Sequence, residues 1–349
     1  MKSNFTFKAY SEFDNELIAI WKEIENNANI LFFQRLLYIQ NLIKIFDVKN
    51  YLIIVIHNNN IPVAILPLEL KIIKTIKILQ WLGSNESDYC CPIILKEDIF
   101  IQEEFSNIWK KILKKINNFD IIYLNKQPEN ILETPNPFVK FLKNSYHSQV
   151  FQIQLHENEA DYLTTLKNKK FISEFSRTRK KLLEKNNIKF ENLSKNADIF
   201  ISDIIKKKIY LLKERKISHS LDDNFIAFYK NLKMMYPDKL ILSTLSINDE
   251  VIAANIGIID NKRFSYLLPV VFSEKFKSFS PGKLLIYELI NWSKKNNLKA
   301  FDFGIGEELY KKYWSNHSMK IFRYLSFEGF KGSIIYFFLN IYLRLKKNI

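Results

Sequence analysis

Between Lys239 and Val271 three strand-like runs, Lys239–Ser246, Glu250–Ile259 and Arg263–Val271, are joined by short turns built on Asn248-Asp249 and Asn261-Lys262. Asn and Asp tolerate the left-handed backbone that tight hairpins need, so this stretch reads as an antiparallel meander. A helical pattern over Lys283–Lys295 and a strand over Lys299–Gly304 follow it. That succession favours α/β or α+β over an all-α or all-β fold.

The first half runs in a similar order. Helices are expected at Phe13–Asn26 and Phe33–Phe46, then strands Tyr51–Ile56, Pro62–Leu70 and Thr75–Trp81, with a polar hairpin turn at His57–Asn60. A helix over Ile99–Ile116 and a strand Asp120–Leu124 come next, and Gln127–Pro137, proline-rich and without periodicity, reads as a surface connection. The second half adds a strand Val150–Leu155, a helix Glu159–Asn186, a strand Ile188–Leu193 and helices Ala197–Lys216 and Asp223–Met235. After Gly304 come a polar-aromatic loop, a strand Met319–Phe327 and a final helix Ser333–Lys347. The class is α/β with α+β mixed sheets. The repeated order suggests a duplicated unit, with domains expected at 1–149 and 150–331 and an amphipathic helix at 332–349.

Composition narrows the chemistry. The formal net charge is +15, but 47% of the residues are apolar, too many for a disordered basic tail. The excess of Lys, Ile, Asn and Phe has the cast of AT-rich coding, so the charge is not read as a DNA footprint. Cys90 and Cys91 are adjacent, which excludes a disulfide framework and a cysteine zinc site. The five histidines lack the spacing that sets two ligands on one helix face, so no metal is expected. The polar, acidic start gives no secretion signal. The longest charge-free apolar stretch, Gly332–Leu343, is too short to span a bilayer. A cytoplasmic location is expected.

Only 7 glycines occur in 349 residues, and three of them, Gly282, Gly304 and Gly306, fall within Phe279–Trp314. Pro281 suits an early helical position and Gly282 admits close approach of an anion to free N–H groups, so Ser280, Pro281, Gly282 and Lys283 form a candidate pyrophosphate site. The alternative is an ordinary helix start capped by Ser280. Asp302 alternates with Phe301 and Phe303; it is either functional or satisfied by a basic partner such as Lys311. Lys311 and Lys312 are either a solvated face or contain a site residue.

The combination SPG (280–282), then FDFG-x-G-x-x-x-YK-x-x-W (301–314), resembles the carboxy-terminal half of the CelD/BioF2-like acyltransferase family of the GNAT superfamily, related to the FemAB aminoacyltransferases. Leu79–Tyr89 (LQWLGSNESDY) resembles that family's LG-x-x-x-x-DY segment, and Phe171–Phe190 its helix with spaced arginines followed by a strand. Lys180-Lys181 departs from the arginines frequent in relatives. The resemblance implies two tandem GNAT-like domains, with the reactive cleft mainly in the second. It implies transfer of an acyl group from acyl-CoA, as co-substrate, to an amine or hydroxyl. The donor pyrophosphate then sits at Ser280–Lys283, and Lys311 matches a lysine at the transfer site. Asp302 and Glu307 are the candidates to receive the acceptor's proton. Arg177 and Arg179 are either acceptor or donor contacts or part of a solvated helix face, and Tyr310 and Trp314 are candidate substrate-binding residues, with core or cleft wall the alternative for Trp314.

The expected acceptor is a sugar, amino sugar or lipid-linked precursor of the envelope or of a polysaccharide. Two alternatives stand beside this reading: a FemAB-type transfer from aminoacyl-tRNA, and a non-catalytic GNAT-like scaffold that binds a glycan or membrane. His156-x-x-x-x-Asp161 matches a short glycerolipid acyltransferase pattern but nothing downstream supports it. Residues 333–347, apolar with a basic end, either pack as core or lie peripherally on the inner membrane surface.

Overall fold

In the computed structural model, residues 4–95, 99–156, 161–193, 197–217 and 219–346 are described. Two units are distinguished, Met1–Ser148 with Lys320–Ile349, and Gln149–Met319. The sequence expectation ended the second domain at 331; residues 320–331 instead group with the first unit, because their strand pairs there.

The first unit begins with β1 (Phe5–Tyr10), α1 (Asn15–Asn27) and α2 (Leu36–Ile45). The Asp14 side chain caps α1 by accepting from Leu17 N at 2.7 Å, and Leu17, Trp21 and Ile24 line its buried face. Strands β2 (Tyr51–Asn58), β3 (Ile61–Ile73) and β4 (Ile76–Trp81) form an antiparallel meander, with β5 (Ile93–Ile94) against β3. Helix α3 (Gln102–Ile116) crosses over to β6 (Ile121–Pro128), which runs parallel to β4. The two-residue strands β7 (Asn130–Ile131) and β8 (Thr134–Pro135), then α4 (Pro137–Phe141), lead into β9 (Asn144–Gln154).

The second unit continues with α5 (Lys169–Leu183), β10 (Ile188–Leu193), α6 (Ala197–Glu214) and α7 (Asn224–Met235). The meander β11 (Leu240–Ile247), β12 (Glu250–Asp260) and β13 (Arg263–Val271) follows, then α8 (Pro281–Lys295), β14 (Ala300–Ile305) and α9 (Leu309–Trp314). The chain closes with β15 (His317–Phe327) and α10 (Gly329–Lys346). Both hairpin turns of the meander have positive φ at both central residues, 48° and 68° at Asn248-Asp249 and 50° and 54° at Asn261-Lys262, the primed geometry that matches strand twist.

The order β1-β2-β3-β4-β6-β15 in the first unit corresponds to β10-β11-β12-β13-β14-β9 in the second. In each, a meander is followed by a crossover helix, a parallel strand, and an antiparallel strand beyond it. This is the duplication that element order suggested. The core of the second unit lies between its sheet and α5 and α8, with Phe171, Phe175, Leu285, Leu289, Phe301 and Trp314 in one cluster.

Four readings are corrected. Strand β1 was missed. The helix expected from Glu159 begins at Lys169, where the Asn168 side chain caps Phe171 N at 3.0 Å, after a short 3-10 turn at Tyr162–Thr165; Glu159 lies outside the described residues. The expected surface connection Gln127–Pro137 is largely interior, since Gln127, Ile131, Thr134 and Asn136 are buried. The loop expected after Gly304 contains α9.

Candidate functional site

Strands β13 and β14 pair in parallel only at Arg263↔Ala300, Phe264↔Phe301 and Ser265↔Asp302. β13 continues to Val271 and β14 to Ile305, so past this point the two strands part. Their connection, α8, starts beside the far end of β13: a Cβ added at Gly282 would meet only Val271 Cγ2, at 3.6 Å. Ser280 is left-handed (φ 53°) and its side chain makes no cap bond, so the ordinary capped start is not what is observed. Its carbonyl accepts from Lys283 N at 2.9 Å and Leu284 N at 3.3 Å. Pro281 has no N–H, and no acidic residue stands in the first turn. Lys283 leans over the Phe171 ring, 5.4 Å from its centroid. An uncapped positive helix end with a lysine beside it is receptive to an anion.

Asp302, fully buried, closes the paired end of β14 instead of facing Lys311. Its carboxylate accepts from Gln152 Nε2 at 2.9 Å and Gly304 N at 2.8 Å, and pairs with Arg263 Nη1 at 3.4 Å. These contacts hold the carboxylate inside a polar knot, away from Lys311.

Lys311 stands at the open end. It is buried while Lys312 is exposed, as expected of neighbours that cannot share a face. Its ammonium donates to Ile305 O and pairs with Glu308 Oε2, each at 2.9 Å. Gly306 makes room for this pair: its φ is 130°, and a Cβ there would come within 2.3 Å of Glu308 Oε2 and 2.9 Å of Lys311 Nζ. The sequence reading chose Glu307, which is exposed; the carboxylate at the lysine is Glu308, one helical turn before it.

Two residues that the sequence reading missed join this end. Lys208, on α6, donates to Pro269 O on β13 at 3.3 Å. Burial lowers its pKa, Glu308 opposes the shift, and Arg215 and Lys311 add to it, so its ammonium shares a field with the Glu308–Lys311 pair. Tyr266, buried on β13, and Tyr310, half-buried on α9, have phenols raised above the usual range, chiefly by burial. Both stay protonated at neutral pH.

The remaining candidates separate. Trp314 is fully buried, 5.1 Å from Phe171 and 5.4 Å from Phe175 ring to ring, and its carbonyl accepts from Tyr162 OH at 2.5 Å. It anchors α9 to α5 and has no surface for substrate, which corrects its expected role. Arg177 is exposed. Arg179 turns toward α8, its guanidinium 4.9 Å from the Tyr287 ring centroid and 3.8 Å from Glu288 Oε1. It borders a cavity of ≈ 410 Å³ shared with Ser176, Lys180 and Tyr287, and a second of ≈ 240 Å³ toward Phe190 and Leu284. Among the described residues no three His, Cys, Asp or Glu side chains converge as metal ligands.

The corresponding parting in the first unit differs in charge. β4 and β6 pair only at Ile78↔Ile121 and Leu79↔Ile122, but their crossover helix α3 carries Glu103 and Glu104 in its first turn. Those carboxylates occupy the positive helix end and repel a second anion.

Residues 169–312 match the acetyltransferase (GNAT) domain family. The chain is similar in fold to FemX, with 9% sequence identity and a TM-score of 0.59 over 91% of this chain and 97% of that one. It is similar to L-PGS from Bacillus licheniformis, with 11% identity and a TM-score of 0.54 over 96% and 97% of the two chains. A tandem GNAT protein from the clavulanic acid biosynthesis pathway shares 8% identity and a TM-score of 0.53 over 93% and 99%. No curated protein matches. The fold is thus that of tandem GNAT proteins, and the match to the GNAT domain family lies in the second unit.

Proposed function

We propose that the second unit transfers an acyl group from acyl-CoA to an amine or hydroxyl of a sugar, amino sugar or lipid-linked acceptor. The observation that carries this reading is the parting of β13 and β14 between an uncapped helix start at Gly282 and a buried lysine at Lys311. The donor pyrophosphate lies at Ser280–Lys283, and its extended arm enters the gap where β13 and β14 part, beyond the Ser265↔Asp302 pair. The GNAT match over residues 169–312 supports the same donor class.

The chemistry then follows from the residues at the open end. Attack by the acceptor nitrogen or oxygen on the thioester carbonyl forms the new C–N or C–O bond and breaks the C–S bond. Negative charge grows on the carbonyl oxygen, and the Lys311 ammonium, fixed by Ile305 O, stabilises it. Glu308 receives the acceptor's proton, and Tyr310, kept protonated by burial, supplies one to the departing sulfur. Solvent returns the proton from Glu308 to Tyr310. No covalent enzyme intermediate is required, because the thioester is already activated.

Titration calorimetry with CoA and acyl-CoAs tests the donor site. Binding by the native chain, weakened in Gly282→Val at unchanged melting temperature, supports it; equal affinity in the two removes it. A second reading, donation from aminoacyl-tRNA, is favoured by the FemX-like architecture and the basic charge. Mass spectrometry of products formed with acyl-CoA or charged tRNA separates the two.

A further inference from the structure

Helix α10 holds to the first unit by one face. A Cβ at Gly332 would lie 2.2 Å from Asp120 O, so glycine sets that close approach. Tyr336 packs on Phe327 with ring centroids 5.0 Å apart, and Lys331 pairs with Asp120 Oδ2 at 2.8 Å and donates to Thr75 O. The opposite face is apolar and uncovered. Phe330 is 83% exposed, Phe337 60% and Phe338 64%, and Ile334, Ile341 and Leu345 lie on the same helical stripe. From Phe330 to Leu345 this stripe runs about 22 Å along the eighteen-residue helix. Beside the start of α10, where Lys331 reaches Thr75 O, Ile72 and Ile73 at the β3–β4 turn are exposed as well.

We propose that this face lies in the interface of an anionic lipid bilayer. The charge here is predominantly positive: Lys71 and Lys74 flank the exposed isoleucines, and the sequence from 329 to 349 holds Lys331, Arg344, Lys346 and Lys347 with no Asp or Glu, against Asp120, already paired with Lys331, and Glu328. A twofold contact between copies sets a patch against itself and so brings two patches of net positive charge together, with Asp120 already engaged by Lys331. Anionic headgroups provide the counter-charge, and the phenylalanines and Tyr342 enter the acyl boundary. No helix among the described residues is long and apolar enough to cross a membrane, so the helix lies along the surface.

The test is sedimentation of the full chain with vesicles of phosphatidylcholine alone, or of phosphatidylcholine and phosphatidylglycerol in equal parts. The expected result is capture by the anionic vesicles, much weaker capture by the neutral ones, and release as salt rises. The double variant F337E/F338E loses about 100-fold in partitioning. M234E/M235E makes the same charge change at exposed methionines of α7 and binds like the native chain. Equal binding by F337E/F338E and the native chain overturns the proposal. So does native protein left in the supernatant, or a native dimer that F337E/F338E renders monomeric without any vesicle binding.

Discussion

Replacing Lys311 with alanine separates a catalytic lysine from a structural one. The ammonium has two partners, Ile305 O and Glu308 Oε2, both at 2.9 Å. Glu308 is 57% exposed, so water compensates that carboxylate and the ion pair contributes about 0–1 kcal/mol to stability. The loss of the bond to Ile305 O costs about 1–3 kcal/mol. For a unit spanning Gln149–Met319 this lowers the melting temperature by roughly 2–10 °C. Catalysis responds differently. Loss of an oxyanion contact reduces turnover by about 10²–10³, or about 3–4 kcal/mol of transition-state stabilisation. Release of CoA thiol from acyl-CoA, followed across a panel of amino-sugar and hydroxyl acceptors well below the melting transition, should show that fall with donor affinity retained. Lys312→Ala, at an exposed neighbour, should lose little of either. Similar small losses in both variants at matched stability would refute the role of Lys311 and favour a binding scaffold.

Gly306→Ala drives a Cβ against Glu308 and Lys311 at a φ of 130°, so turnover should fall by about 10² while CoA affinity by calorimetry is kept. In the first unit, burial raises the carboxyl pKa of Glu69 above 4.5, and burial followed by the charge of Glu69 does the same for Glu86. A raised carboxyl binds more protons folded than unfolded, so these groups add stability as pH falls from neutral through their folded pKa values toward 4.5. Glu69→Gln should stabilise the chain near neutral pH and flatten that dependence in melting curves; an unchanged slope counts against the assignment. Phe138→Ala empties a site ringed by Trp81, Phe105 and Trp109, each 5.0 Å away ring to ring, and should cost about 3–5 kcal/mol, read as a fall of roughly 10 °C in melting temperature.

The parts of the fold that follow from local chemistry were legible. Strands β10 and β13 begin and end where periodicity drew them, and the Asn-Asp and Asn-Lys turns took the left-handed geometry that Asn and Asp favour. The segment Gln127–Pro137 was misread because its burial depends on distant partners. The Asn136 side chain donates to Pro128 O at 3.0 Å and accepts from Phe138 N at 3.1 Å, closing the turn so that Phe138 reaches aromatic rings from β4 and α3. Proline content signals a turn but carries no information about what the turn packs against.

The site divides along the same line. Gly306 and Lys311 stood out because glycine is scarce and the YK spacing is specific, and both meet at the end of β14. Choosing between Glu307 and Glu308 required knowing that Leu309–Trp314 is helical: three residues before Lys311, across that turn, is Glu308. The six-residue run LYKKYW is too short, and too rich in Tyr and Trp, to declare itself as a helix without the packing of Trp314 against α5. Asp302 found Arg263 through the parallel register of β13 and β14, which also explains why Lys311 was left free to pair with Glu308. Lys208 had no such mark. It is one cation among 52 in the sequence, and its role at the open end rests on α6 lying against β13, a packing relation that no spacing along the chain encodes.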